Sequence, residues 1–346
     1  MLNIDFIQVN AYLLNFLVVN MNDTKQLITN YKDIVFGKRS LTDEMVNKLF
    51  NIDDKFLRDL SNAANEITRV FQGSKIDVEQ LANIKKNYCR EDCTFCSQSA
   101  FFDTGIDKYQ LMTSEEVVRQ ATDAKKAGAH SYCLVAAWRE PSENDFEQVC
   151  HIIEEVNEKV GISIECSLGF LTIKQAKKLK DLGVVRYNHN LETSESKFHE
   201  ICTTHTYQDR INTLHIAREA GLELCTGGII GMGETRNQRE ELVQAIGRLD
   251  PEEVTVNLLV PFPGTPLELQ TPLNLEEILR VFAVLRFLLP KSIIKISGGR
   301  EVNLKDDGKE LLLSGANGII SAGYLTLDGN SMEKDVKMIE EIDLEA

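Results

Sequence analysis

From Leu81 onward the chain repeats one unit, a short β-prone run followed by a helix-like segment with its own start and stop signals. The runs are Ala82–Lys86, Ser131–Ala136, Ser163–Leu168, Val184–Asn188, Leu222–Thr226, Glu253–Leu259, Ile293–Ser297 and a weaker one near Ile319, eight in all. Strands separated by helices cannot pair as hairpins and must lie parallel. Eight of them in a row, joined by short connections, predict a (β/α)8 barrel of TIM type in the α/β class. Helix boundaries are written in the same stretch. Thr113 with Glu116, and Thr172 with Gln175, form capping boxes ahead of helices that should end near Gly128 and Gly183. Active sites of such barrels lie at the C-terminal ends of the strands, so the loops after each run are where chemistry is expected.

Nothing resembling a linker divides residues 79–330, which read as one catalytic domain. Residues 1–78 form an N-terminal helical extension, a lid or added layer, with Met45, Leu49, Phe56, Leu60 and Ile67 at helical spacing. Residues 331–346 read as a closing acidic helix. The apolar segment Phe6–Val19 is interrupted by Asn10 and Asn15 and lacks the basic flank of a signal peptide. It reads as a helical extension or an over-long translation start, because Met21 begins a more ordinary polar N-terminus. A net charge of -15 disfavours nucleic acid and anionic lipid, and no run reaches the roughly 18 apolar residues of a membrane span. Eight cysteines without a secretory pattern read as metal ligands and buried thiols in a reducing cytoplasm.

The sharpest local signal is Cys89-Arg90-Glu91-Asp92-Cys93-Thr94-Phe95-Cys96, in the loop after the first run. Three thiolates at this spacing can hold three irons of a [4Fe–4S] cube and leave the fourth iron open. Zinc is the competing reading, but closed zinc sites want four ligands and no fourth Cys or His lies nearby in sequence.

Three more cysteines recur on separate runs: Cys133, Cys166 and Cys225. Side-chain alternation allows all three to face one lumen, where soft thiolates suit iron and sulfur; each alone is equally a small buried hydrophobe. An inward Cys225 would bring Glu223 inward too, which requires a polar place at the barrel floor. Cys150 and Cys202 receive no role, and the six histidines, His189 among them, read as structural. Asn188, Asn190 and Glu192 share one alternating face after the fourth run, where they could bind a polar ligand or shape a turn. The Gly227-Gly228 and Gly231–Gly233 cluster allows close backbone approach to a ligand. Asn257 and Lys295 are polar residues in otherwise apolar runs, and an inward Lys295 calls for an anionic or metal-bound neighbour.

The cysteine triplet with an aromatic before its last member resembles the radical S-adenosylmethionine superfamily. Taken with Tyr132–Trp138 (YCLVAAW), Tyr187–Thr193 (YNHNLET), Thr203–Tyr207 (TTHTY), Cys225–Thr235 (CTGGIIGMGET), Ser297–Glu301 (SGGRE) and Gly315–Asn317 (GAN), residues 80–340 resemble the biotin synthase family. That resemblance implies a sulfurtransferase that inserts sulfur into dethiobiotin, the last step of biotin formation. It implies a [4Fe–4S] cluster at Cys89, Cys93 and Cys96 that binds S-adenosylmethionine. It further implies an auxiliary [2Fe–2S] cluster on Cys133, Cys166 and Cys225 as sulfur donor. Asn190 and Asn257 would hold dethiobiotin, Glu192 would lie near the cofactor ribose, and Phe95, Asn188 and Trp138 would add binding contacts. Flavodoxin or ferredoxin as electron donor, iron–sulfur assembly proteins and a homodimer follow from the same resemblance.

One departure is visible. Well-known members place an arginine as fourth ligand of the auxiliary cluster, and here that position carries Lys295. A lysine must lose its proton to coordinate iron, which argues against ligation and leaves room for a larger [4Fe–5S] cluster. Other small-barrel radical enzymes, of the hydrogenase-maturation or pyrrolysine-pathway kind, are the competing activity. A non-catalytic iron–sulfur protein is the competing class.

Overall fold

The structure is a computed structural model and describes residues 22–346; the segment Phe6–Val19 and Met21 lie outside the described residues. Eight parallel strands close into a barrel in chain order, from β1 to β8 and back to β1. They are β1 (Asp77–Lys85), β2 (Ser131–Ala136), β3 (Ser163–Ser167), β4 (Arg186–Asn188), β5 (Glu223–Ile230), β6 (Glu253–Leu258), β7 (Ile293–Ile296) and β8 (Gly318–Ile320). The helices are α1 (residues 22–36), α2 (Asp43–Phe50), α3 (Leu57–Gln72), α4 (Ser114–Ala127), α5 (Glu143–Lys159), α6 (Ile173–Asp181), α7 (Glu195–Ile201) and α8 (Tyr207–Glu219). They continue with α9 (Arg236–Leu249), α10 (Leu275–Leu288), α11 (Arg300–Asn303), α12 (Lys309–Leu312) and α13 (Met332–Glu340).

Capping chemistry sets most helix starts. The boxes at Thr113/Glu116 and Thr172/Gln175 both form, and Thr206/Asp209 and Thr235/Gln238 repeat the device on α8 and α9. Gly128 ends α4 with φ 102°, a conformation in which a Cβ would be strained.

Two strands run longer than their composition suggests. β1 begins at Asp77 instead of Ala82, because its charged residues are hidden in the barrel floor where a sequence pattern reads solvent. β5 continues past Thr226 through two glycines, which a strand normally disfavours. Here they are required: a Cβ on Gly227 would lie 1.9 Å from the Thr255 carbonyl oxygen, and one on Gly228 would lie 2.7 Å from that of Glu192. The close approach is thus to neighbouring backbone.

α2 and α3 pack on α10, and Asn47 and Asn51 donate amide hydrogen bonds to Glu240 of α9 at 2.9 and 3.2 Å. The N-terminal layer therefore covers the barrel's outer face, and none of residues 22–72 lines the central cavity. α10 is buried nearly all round, with Arg280 donating to the Phe50 and Ile52 carbonyls at 3.0 and 3.1 Å. Arg286 donates to the Gly315 carbonyl at 2.8 Å and the Asn317 side-chain oxygen at 2.6 Å.

The C-terminal segment closes the fold. Asp335 of α13 takes both terminal nitrogens of Arg300, at 2.9 and 2.8 Å, in a pair with no solvent exposure. Beyond it, the Ile76 amide donates to Glu345 at 2.6 Å. Breaking one half of such a buried pair leaves an uncompensated charge, so Asp335→Ala should cost about 3–5 kcal/mol. A fall in the urea midpoint with unchanged slope is the expected result.

Candidate active site

Residues paired across neighbouring parallel strands share a face of the sheet, so the register assigns each side chain to the lumen or to the helix layer. One row runs Leu81, Cys133, Glu165, Arg186, Glu223. A second runs Asn188, Cys225, Glu253. Cys133, Glu79, Asn188 and Asn257 of these inward positions line a central cavity. The opposite row runs Ala82, Leu134, Cys166, Tyr187, Leu224, and it packs into the apolar core against the helices.

Cys166 therefore points away from the lumen, and the expectation of three converging strand thiols is corrected to two. Alternation gives the period of a strand but not its phase. Glu165 has the sequence appearance of a solvent-facing strand residue, yet it is the residue that faces the lumen.

The lower lumen is filled by charge. Lys295, with no solvent exposure, holds Glu79 and Glu253 at 2.6 Å each and Asp77 at 3.0 Å. Arg186 holds Glu165 and Glu223 at 2.8 Å and Glu253 at 2.7 Å. Burial works to discharge the Lys295 ammonium, but Glu253, Glu79, Glu165 and Asp77 outweigh it and keep its pKa well above the ordinary lysine value. An ammonium so held has no lone pair to offer, so the inward lysine has the anionic neighbours its burial called for and is spent on them. Burial also pushes Glu79 up to about 8, against the opposing pull of Lys295. Glu223 finds its polar floor in Arg186.

Cys89, Cys93 and Cys96 lie in the loop after β1, and all three line the cavity. The loop is shaped locally: the Cys96 amide donates to the Cys93 carbonyl at 3.0 Å, and the Ala100 amide to the Cys89 carbonyl at 2.7 Å. Burial, reinforced by Cys96, pushes the Cys89 thiol up to about 12, and burial likewise lifts Cys96 to about 11. Three soft donors in a dry wall fit an iron–sulfur group, which deprotonates them as it binds.

The two acidic residues between these cysteines staple the loop to residues 202–205. Asp92 accepts from the Thr203 and Thr204 amides at 2.9 and 3.2 Å. Glu91 accepts from Arg139 at 2.7 Å and from Thr204, and pairs with His205. Burial opposes ionisation of Glu91, yet His205, Thr204 and Arg139 bring its pKa down to about 2. Cys202, which sequence reasoning left without a role, sits with Cys93 and His205, their sulfur and nitrogen atoms within 4.8 Å of one another.

From His205 the contacts continue to the end of β4. Arg210 donates to His205 at 3.0 Å and to the Asn190 carbonyl at 2.9 Å, and pairs with Glu192 at 3.1 Å. Glu192 holds a left-handed backbone, φ 67°, against Gly228. His205, Arg210 and Glu91 thus belong to the cavity wall, and no spacing rule had marked them. Neither had any marked the loop after β8, where Thr326 meets Ser97 at 2.9 Å.

Of the expected binding residues, Phe95, Asn188, Asn190, Glu192 and Asn257 line the cavity. Asn257 is already tied to the Gly298 amide at 2.9 Å, and Asn190 accepts from Thr255 at 3.0 Å. Trp138 does not line it: its indole donates to the Leu168 carbonyl at 2.8 Å, and Lys85 covers its ring.

Comparison with known proteins sorts these features. A radical SAM superfamily model matches residues 83–246, and a biotin and thiamin synthesis associated domain matches residues 255–345. Biotin synthase from Nitrosopumilus maritimus is 67% identical over 93% of this chain and 99% of its own. The chain belongs to the biotin synthase family. Biotin synthases from Cenarchaeum symbiosum and Clostridium tetani are 60% and 39% identical over 92% of this chain, and 99% and 98% of theirs. Among solved structures, methylornithine synthase aligns with TM-score 0.80 at 22% identity, over 91% of this chain and 96% of that one. The FeFe-hydrogenase maturase HydG from Carboxydothermus hydrogenoformans gives 0.79 at 19%, over 97% and 83%. These two share the fold.

Membership of the radical SAM superfamily implies a [4Fe–4S] cluster and S-adenosylmethionine as cofactors. No helix of the described residues is long and apolar enough to cross a membrane. The charge of Lys295 should matter to the barrel itself: Lys295→Met strips a buried cation from three carboxylates and should cost about 3–5 kcal/mol. Thermal or urea unfolding of the metal-free protein measures it, with Lys295→Arg as the milder comparison.

Proposed function

We propose that the enzyme converts dethiobiotin to biotin by radical insertion of sulfur, with two metal groups at different depths of one cavity. The observation that carries this reading is the pair of donor sets, three thiols in the mouth loop and Cys133 with Cys225 facing the lumen on β2 and β5. Cys89, Cys93 and Cys96 would hold the [4Fe–4S] cluster, whose open iron takes S-adenosylmethionine. When bound, that cluster supplies the electron that cleaves the sulfonium to a 5'-deoxyadenosyl radical, and the inner group, of [2Fe–2S] or [4Fe–5S] type, supplies sulfur.

The chain's own residues orient and exclude. Glu192, steadied by Arg210, offers a half-buried carboxylate to the cofactor's ribose hydroxyls. Asn188 offers its amide, and Asn190 and Asn257 their remaining hydrogen-bond capacity, to the ureido ring of dethiobiotin, between the two metal positions. Phe95 packs against Ile201, Met232 and Leu259 and screens the mouth from water. A reduced flavodoxin or ferredoxin is the electron donor in this reading. Iron–sulfur assembly proteins restore the inner group, and the enzyme works as a cytoplasmic homodimer.

Two substitutions separate the roles. Cys93→Ala should abolish deoxyadenosine release from S-adenosylmethionine by at least about 100-fold, the scale of losing a required catalytic group. Cys225→Ala should keep deoxyadenosine release and lose biotin, both read by chromatography after turnover with dethiobiotin. Equal loss of both products in Cys225→Ala would contradict separate roles. Deoxyadenosine without biotin in the unaltered enzyme would favour another small-barrel radical activity, and no cleavage at all would leave an electron carrier.

A further inference from the structure

The bonds that staple the cysteine loop to residues 201–205 bracket one pair of thiols. On one side Asp92 accepts from the Thr203 amide at 2.9 Å, and on the other the Thr94 amide donates to the Ile201 carbonyl at 2.9 Å. Cys93 and Cys202 therefore lie on two neighbouring segments that are tied before and after them. Hydrogen-bonded neighbouring segments run about 4.7–4.9 Å apart, inside the roughly 4.4–6.8 Å between Cα atoms that a disulfide requires. The side chains agree with the backbone. Cys93, Cys202 and His205 bring sulfur and nitrogen atoms within 4.8 Å of one another, and the two cysteines pack with Phe198 in one buried cluster.

The pair is asymmetric. Cys93 lines the central cavity, where a small oxidant can reach it, and Cys202, 3% exposed, stands behind it at the end of α7. The Cys202 thiol directs its hydrogen to Asp92 Oδ1 at 3.2 Å, and His205 Nδ1 lies 3.2 Å from the same sulfur. Arg210 donates to the other ring nitrogen at 3.0 Å, so a neutral imidazole carries its hydrogen on Nδ1, facing Cys202 and Glu91. A donor aimed at sulfur steadies the negative charge that sulfur carries as a nucleophile. The proposed reaction uses Cys93 and gives Cys202 no task.

We infer that Cys202 is the resolving cysteine of Cys93, and that in the iron-free enzyme a Cys93–Cys202 disulfide shelters the cluster ligand from irreversible oxidation. The inference rests on the reading of Cys93 as a ligand of the mouth cluster. Hydrogen peroxide passes one oxygen to the Cys93 thiol, which becomes a sulfenic acid as water leaves. The Cys202 sulfur then attacks the Cys93 sulfur: the S–S bond forms, the S–O bond breaks, and the hydroxyl departs as water with the Cys202 proton. In all, two thiols lose two electrons and one peroxide becomes two waters. A sulfenic acid without a resolving partner goes on to a sulfinic acid, which a dithiol does not reverse, whereas a disulfide opens again by thiol exchange. Bridge and bound iron exclude each other at Cys93, so the bridge must be opened before the loop can fill.

The test treats the full chain and Cys202→Ser, both freed of iron by a chelator and fully reduced, with hydrogen peroxide. Peptide mass spectrometry reads the products, and iron uptake on anaerobic reconstitution with ferrous iron and sulfide is measured before and after dithiothreitol. In the unaltered chain a peptide pair joined through Cys93 and Cys202, lighter by two hydrogens, should form, and dithiothreitol should restore iron uptake. In Cys202→Ser the Cys93 peptide should gain two oxygens, and iron uptake should stay several-fold lower after dithiothreitol. Untreated Cys202→Ser, which keeps a hydroxyl for Asp92, should fill and cleave S-adenosylmethionine like the unaltered chain. Cys93 bridged to Cys89 or Cys96 in place of Cys202, or sulfinic acid formed equally in both proteins, overturns the resolving role. Mouth iron kept in Cys93→Ala overturns instead the ligand reading, and with it the sheltering role, whether or not the bridge forms.

Discussion

Two cations, the buried Lys295 and the partly buried Arg186, and the carboxylates they divide between them hold the lower half of this barrel together. The interior of such a barrel is usually filled by branched apolar side chains. Here Glu253 sits between the two cations and gives the same oxygen to each, so β1, β3, β4, β6 and β7 are linked through their side chains as well as their ladders. A network of this kind stabilises weakly compared with an apolar core, yet it tolerates the removal of no single member, because each loss strands a charge. Its geometric effect is to pin the phase of the strands. Cys133 and Cys225 face the lumen on the same register that seats Glu165, Arg186 and Glu253.

Above that floor, two distant motifs act as one part. The acidic pair inside the cysteine loop, Glu91 and Asp92, is joined to residues 203–205, and from His205 the contacts pass through Arg210 to Glu192. The loop that would carry the radical-generating cluster and the strand end that would carry the nucleoside are therefore placed relative to each other by hydrogen bonds. Burial lifts the Cys89 and Cys96 thiols, while hydrogen bonds from His205, Thr204 and Arg139 lower Glu91.

Much of this was legible beforehand. The repeated strand–helix unit, the capping boxes at Thr113 and Thr172 and the position of the cysteine triplet after the first strand are local patterns, and local patterns survive into the fold. What could not be read was phase and partnership. Cys166 alternates correctly but on the other face, a fact settled only by the pairing of Cys133 with Glu165. Asp77 fell within the expected helical extension and Glu79 ahead of the first expected strand, because their countercharge, Lys295, is over 200 positions away in the chain. Trp138 was expected to add a binding contact and instead donates its indole hydrogen to the Leu168 carbonyl. Arg210 had no motif of its own, and His205 stood inside the TTHTY stretch without a role, since their importance lies in whom they touch.

The pair of glycines on β5 has a wider consequence. Glu192 is aimed by its main chain, which sits in a left-handed turn directly on Gly228, so the height of that carboxylate over the cavity is a property of the adjoining strand's bareness. Precision bought with missing side chains cannot drift gradually. A lineage could exchange most of the residues around this turn one at a time, but the two bare positions admit no intermediate, and the geometry of the turn would be inherited whole or lost at a stroke.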